Sequence, residues 1–171
     1  MHITFRPTTL ADAAALPAIE RSAGQRFLDV PELAWIADDR IVSVEQHREY
    51  AGKGMSWLAL VDDRPVGFLL GEAMESSLYI AEFSLHLAWQ GKGIGRQLVD
   101  TVAQWAREQG FTSVTLTTFR HVDWNAPLYQ HLGFEILEDG ALPAALRQKR
   151  EEETAHGIAF ESRCAMRLML N

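Results

Sequence analysis

The chain predicts a mixed α/β domain, and three observations carry that expectation. Two strand-like runs, 57–61 and 66–72, flank the turn Asp62-Asp63-Arg64-Pro65 and read as an antiparallel hairpin. The run 79–87 reads as a central strand, and it leads through the glycine-rich stretch Gln90-Gly91-Lys92-Gly93-Ile94-Gly95-Arg96 into the amphipathic segment 95–109. The β-branched run 111–118 then follows, so strand, helix and strand form a parallel βαβ crossover inside a sheet whose early strands are antiparallel. With 171 residues, no internal repeat and no Pro/Gly/Ser linker, residues 1–171 read as a single domain.

The elements follow in order. Residues 3–6 form a short first strand. Thr9 caps a first helix, with Asp12 completing a weak capping box and Leu16, Ile19, Ala23 and Phe27 at helical spacing. Residues 29–41, with Pro31 and Trp35, are irregular; Ser43 caps a second helix running to about Ala51 and closed by Gly52. In the helix after the glycine run, Ile94, Leu98, Val102 and Trp105 share one face and Gly110 ends it. Residues 125–131 form a short helix followed by Gly133, residues 134–137 a strand, and Asp139-Gly140 its turn. Residues 142–153 form a charged helix or arm starting at Pro143, and 162–170 a last strand.

Composition narrows the function. The chain is 47% apolar and 23% charged, which is ordinary for a soluble globular protein, and its apolar runs are too short to span a bilayer. The opening Met1-His2-Ile3-Thr4-Phe5-Arg6-Pro7 has no charged stretch followed by an apolar one, so no secretory signal is expected. A single cysteine, Cys164, excludes an intramolecular disulfide and points to a reducing cytoplasm. The net charge of −7 argues against a nucleic-acid binder; it suits a cationic or amine substrate and serves plain solubility equally well. Histidines are scattered, so no metal-ligand spacing exists, and the setting of Cys164 reads as core rather than nucleophile.

The glycine run carries the chemistry. A strand, a glycine turn and a helix start make an anion site, because the first N–H groups of a helix have no internal partner and the helix dipole favours negative charge there. Glycine lets the backbone approach a phosphate and take positive φ. The ligand is therefore read as a pyrophosphate. A Walker loop needs Lys-Ser or Lys-Thr after its last glycine, and here Arg96-Gln97 follows Gly95. A Rossmann fingerprint needs wider glycine spacing and an acidic residue about 20 positions on, and neither is present.

The segment from Glu82 to Arg96 resembles instead the acyl-CoA-binding motif of the GCN5-related N-acetyltransferase (GNAT) superfamily, Gln/Arg-x-x-Gly-x-Gly/Ala between a strand and a helix. Asn125-Ala126-Pro127-Leu128-Tyr129-Gln130-His131-Leu132-Gly133-Phe134 resembles its Ala-x-x-Leu-Tyr-x-x-x-Gly-Phe segment, and the opening Ile3-x-x-Arg6 with Asp12 agrees. The resemblance covers essentially the whole chain. It implies the GNAT fold, a mixed and mostly antiparallel sheet with splayed central strands. It implies an N-acetyltransferase that moves an acetyl group from acetyl-CoA to a primary amine by direct attack in a ternary complex, without a metal.

Carried over residue by residue, the resemblance puts the pyrophosphate on Gly91, Lys92, Gly93, Ile94, Gly95 and Arg96, with Gln90 flanking, and pairs the pantetheine arm with the strand near Phe83, Ser84 and Leu85. Tyr129 matches the tyrosine that protonates the departing thiolate, a role a phenol near pKa 10 can fill. Glu82 matches a glutamate that takes the amine proton directly or through water; His86, His121 and Asp123 are lesser candidates. The family's usual asparagine position holds Val122, so Asn125 either contacts the pantetheine arm or caps the short helix. The run 147–153 reads as a solvated helix face with i,i+4 pairs, or more sharply as a substrate-side or dimer arm. Trp35 and Trp124 are either acceptor-pocket walls or core. A catalytically silent acyl-CoA sensor and a nucleotide-binding module stand as rival readings. The acceptor itself is open, and dimers are common among similar proteins, which leaves a homodimer among the open states.

Overall fold

The computed structural model describes residues 1–171, with seven strands and five α-helices. In chain order they are β1 (Ile3–Pro7), α1 (Leu16–Gly24), α2 (Val44–Gly52), β2 (Ser56–Val61), β3 (Arg64–Met74), β4 (Ser77–Leu85), α3 (Ile94–Glu108), β5 (Ser113–Phe119), α4 (Ala126–His131), β6 (Glu135–Leu137), α5 (Ala144–Ala155) and β7 (Arg163–Met169). The strand order is β1-β2-β3-β4-β5-β7-β6. Pairing is antiparallel for β1–β2, β2–β3, β5–β7 and β6–β7, and parallel for β4–β5. The mixed α/β class with a parallel crossover is thus the observed one. No helix is long and apolar enough to cross a membrane.

The chain divides into two compact units, Met1–Gly71 with Ala81–Val102, and Glu72–Ile80 with Ala103–Asn171. The passage between them falls inside β3, β4 and α3.

In the first unit, Asp62 (φ 49°) and Asp63 (φ 66°) form the two-residue turn of the β2–β3 hairpin. Positive φ at both positions matches the twist of the flanking strands. Leu16 and Ile19 of α1 pack on Leu58, Leu60, Phe68 and Leu70 of β2 and β3. Ser43 and Gln46 form the reciprocal cap of α2, with bonds of 3.1 Å and 2.9 Å. Three expectations need correction. Thr9 and Asp12 do pair, but they open a 3₁₀ turn, Leu10–Ala15, ahead of α1. There Asp12 is the acceptor: it takes the Thr9 N–H (2.7 Å), the Thr9 hydroxyl (2.8 Å) and the Arg6 guanidinium (2.8 Å), and the arginine holds its carboxyl well below the usual range. Helix α1 stops at Gly24, so Phe27 lies in a separate tight turn. The supposedly irregular stretch contains a further 3₁₀ helix, Pro31–Asp38, whose proline sits where its missing N–H costs nothing.

In the second unit, register sorts β5 and β7 into two faces. Val114, Leu116, Cys164 and Met166 are buried on one, which confirms Cys164 as core. Ser113, Thr115, Thr117, Arg163, Ala165 and Arg167 share the other. Helix α5 lies over this polar face, so only one side of the run 147–153 is solvated: Arg147, Gln148, Glu151 and Glu152 are exposed, whereas Lys149 and Glu153 are half-buried and Arg150 is buried. Arg150 is 1% exposed, bonded to Asp139 (2.6 Å) and to the Phe160 carbonyl (3.0 Å) and stacked on the Phe160 ring. Glu153 pairs with Arg163 at 2.8 Å and accepts from the Thr117 hydroxyl. A polar sheet face selects a helix whose inner stripe carries its own counter-charges. Only the outer pair Gln148–Glu152 shows the i,i+4 contact expected.

Candidate active site

The glycine turn connects the end of β4 to α3. Its shape begins with β4 stopping at Leu85, two residues short of the expected end. The His86 N–H bonds the Val66 carbonyl (2.8 Å), and the chain then makes a short 3₁₀ turn, Leu87–Trp89. His86 caps that turn, accepting the Ala88 N–H at Nδ1 (3.1 Å), so it leaves the alternation with Glu82 and Ser84. Gln90 is tied down on both ends of its amide. Its Nε2 donates to the Leu85 carbonyl (2.7 Å), and its Oε1 accepts from Arg26 (2.8 Å). Gln90 therefore fastens the turn, and Arg26 is a supporting residue that the sequence did not reveal.

Gly91 (φ 78°) and Gly93 (φ 79°) then take the left-handed conformation with open space where a Cβ would stand. The Gly93 carbonyl accepts the Gln97 N–H (3.2 Å), which marks the start of α3 and leaves the N–H groups of Ile94, Gly95 and Arg96 without a carbonyl one turn earlier. No acidic residue occupies that first turn. Lys92 and Arg96 are exposed and form no ion pair. Gly95 has a different task. A Cβ there would stand 3.1 Å from Phe83 Cζ and 3.9 Å from Leu85 Cδ2, so the glycine lets α3 lie against β4. Gly67 does the same for β3, where a Cβ would meet Leu85 Cδ1 at 2.8 Å. Donors, open space and unneutralised cations converge on an exposed turn. The arrangement fits a pyrophosphate-sized anion.

The opposite face of β4 carries Glu82 and the buried Ser84, whose hydroxyl donates to Glu82 Oε1 at 3.3 Å. Glu20 of α1 lies in the electrostatic reach of Glu82. Burial, and then the charge of Glu82, push the Glu20 carboxyl up to about 8, while its Oε1 accepts the Val42 N–H (3.0 Å). Glu20 was missed, although a signal existed: it falls at the i+4 position from Leu16, on the apolar stripe of α1. Parallel pairing with β5 involves Ser77, Leu78 and Tyr79, whereas β4 runs on to Leu85.

In the second unit, Tyr129 is buried on α4 with its ring edge-on to Phe134 (centroids 5.6 Å apart), and its N–H donates to the Asn125 carbonyl (3.0 Å). The capping alternative for Asn125 fails, because its side chain makes no cap bond to α4. Its Oδ1 instead accepts from the Thr118 hydroxyl, which turns the amide toward β5 and leaves Nδ2 with no acceptor in the protein. His121 and Asp123 are exposed, Trp35 is 41% exposed, and Trp124 is half-buried.

Comparison with known proteins agrees with this geometry. Residues 22–134 match the model of the acetyltransferase (GNAT) family. The chain superposes on the PaiA N-acetyltransferase of Thermoplasma acidophilum, solved with coenzyme A, with a TM-score of 0.73 at 16% identity over 99% of both chains. It superposes on the ribosomal-protein-alanine N-acetyltransferase of Brucella melitensis with a TM-score of 0.70 at 18% identity, covering 98% of this chain and 99% of that one. It also matches 36% of the longer N-acetylglutamate synthase of Neisseria gonorrhoeae, solved with coenzyme A and N-acetyl-glutamate, over 100% of its own length (TM-score 0.71, 16% identity). At these identities the superpositions show a shared fold, and the family match extends over most of the chain: the protein belongs to the GNAT acetyltransferases.

Proposed function

We propose that this chain is a single catalytic domain that transfers an acetyl group from acetyl-CoA to a primary amine, within a ternary complex and in the cytoplasm. The observation that carries the reading is the turn at Gly91 and Gly93, with positive φ, open space and a helix start free of acidic residues. The neighbours solved with coenzyme A support the choice of ligand. Acetyl-CoA supplies an activated thioester.

In this reading the N–H groups of residues 91–96 hold the pyrophosphate, and Lys92 and Arg96 add charge-assisted contacts. The β4 backbone at Phe83, Ser84 and Leu85 pairs with the pantetheine arm and polarises the thioester carbonyl. The Asn125 amide donates to the same arm. Glu82 takes the proton from the incoming ammonium, directly or through water, and Tyr129 donates its phenolic proton to the departing thiolate.

The test is release of the CoA thiol from acetyl-CoA across a panel of a free amino acid, a polyamine and a peptide N-terminus, with mass spectrometry of the amine. Thiol release matched by one acetyl group on the amine is the expected result. Binding of acetyl-CoA with no transfer to any amine class would contradict the enzyme and support the silent sensor.

A further inference from the structure

The joint between the end of β4 and the glycine turn is held from outside both. The His86 N–H points to the Val66 carbonyl of β3 (2.8 Å). A trans peptide group carries its N–H and C=O on opposite sides, so the Leu85 carbonyl points away from β3. It lies on the edge of β4 whose pairing with β5 covers only Ser77, Leu78 and Tyr79. There the Leu85 carbonyl accepts from Gln90 Nε2 at 2.7 Å. The bond closes residues 85–90 into a loop and ties the last strand residue to the residue before Gly91.

A carboxamide has two ends that need opposite partners. A carbonyl only accepts, so the Leu85 anchor requires the NH₂ end. A guanidinium only donates, and Arg26 Nη1 donates to Gln90 Oε1 at 2.8 Å in a part-buried contact. Arg26 therefore dictates which way round the amide stands. Its charge also polarises the amide toward stronger donation at Leu85. Arg26 is in turn fixed by its place in the tight turn Gln25–Asp29, directly after α1, whose Leu16 and Ile19 pack on β2 and β3. A second bond, from the Leu87 N–H to the Ser22 hydroxyl of α1 (3.2 Å), holds the same connection to the same helix end.

Strand end and turn are the two halves assigned to the acyl donor, one for the pantetheine arm and one for the pyrophosphate. A ligand that spans two subsites gains from both only when their spacing matches its own length. Resting on that acetyl-CoA reading, we propose that Arg26 is a positioning residue for the acyl donor, which through the Gln90 amide holds the Leu85 carbonyl and the glycine turn at the spacing acetyl-CoA requires.

The test is calorimetric titration of acetyl-CoA into the full chain, beside saturation-transfer NMR of two fragments, ADP for the pyrophosphate half and S-acetylpantetheine for the arm. Arg26→Met keeps the stem and loses the donors. It should weaken acetyl-CoA about tenfold or more while each fragment changes by less than about twofold. Arg26→Lys should restore most of the affinity, and Arg26→Met should add no further loss in a Gln90→Met background. If circular dichroism shows that Arg26→Met does not fold, Gln90→Met carries the same comparison of whole donor against fragments. Parent-like affinity in a folded Arg26→Met would overturn the assignment and leave the donor reading standing. So would an equal loss for acetyl-CoA and ADP, the mark of a turn merely loosened, or losses that add in the double variant. A parent chain that binds no acetyl-CoA would remove the donor reading and the assignment with it.

Discussion

Tyr129 and Glu82 are given opposite proton tasks, and each leaves its own kinetic mark. Removing the phenolic proton by Tyr129→Phe keeps the ring that packs on Phe134. The turnover number should then fall about 100-fold or more, the range of general acid catalysis, with little change in the Michaelis constant for acetyl-CoA. Unchanged turnover in steady-state assays would remove Tyr129 from the mechanism. Glu82→Gln should lower kcat/KM and abolish the acidic limb of its pH profile, because a neutral amide has no proton to lose; a profile identical to the parent would assign the base elsewhere. As candidates these two residues were legible because motifs carry them, and their roles stand as proposals. Arg26 was not, since its partner Gln90 lies 64 positions away and no local pattern encodes that distance. Asn125 shows the limit from the other side. Asparagine before a helix reads as a cap, but here the Thr118 hydroxyl claims its Oδ1.

At the scale of elements, the β4–turn–α3 unit makes different demands on its glycines. At Gly93 a side chain meets nothing, so Gly93→Ala should cost only the left-handed conformation, about 1 kcal/mol in chemical denaturation. At Gly95 the cost is contact with Phe83. Gly95→Ala should destabilise by about 1–3 kcal/mol through overpacking and also displace α3 from β4. Equal effects of the two substitutions would contradict this division. The hairpin, the crossover and the capped α2 were visible in the sequence because turn chemistry and periodicity are local signals. Two features were not. β7 enters the sheet between β5 and β6, and a single chain gives no sign of which edge a last strand will join. The inner stripe of α5 is charged, so its burial follows from the polar face beneath it rather than from its own periodicity.

For the whole molecule, buried His47 and half-buried Glu20 contribute opposite pH dependences to stability. His47 is fully buried beside Phe68, neither ring nitrogen has a partner, and burial lowers it to about 4. The unfolded chain therefore binds its proton more readily, and stability should fall as pH drops from about 6.5 to about 4. Glu20 works in the other direction. Its folded value near 8 lies above the ordinary 4.5, so stability should decline as pH rises from about 4.5 to about 8. Glu20→Gln keeps an acceptor for the Val42 N–H and should flatten that decline in urea titrations at several pH values. An unaltered slope would show that Glu20 is not the group responsible. The two effects leave a stability maximum in mildly acidic solution, where His47 is neutral and Glu20 protonated. Function at this scale turns on one ligand. Its most direct measurement is a calorimetric titration of acetyl-CoA against ATP and NAD, with the parent chain and with Gly93→Val. The account predicts micromolar binding of acetyl-CoA, far weaker binding of both nucleotides, and a marked loss in the variant while it remains folded. Absence of acetyl-CoA binding, or tighter binding of ATP or NAD, would contradict it.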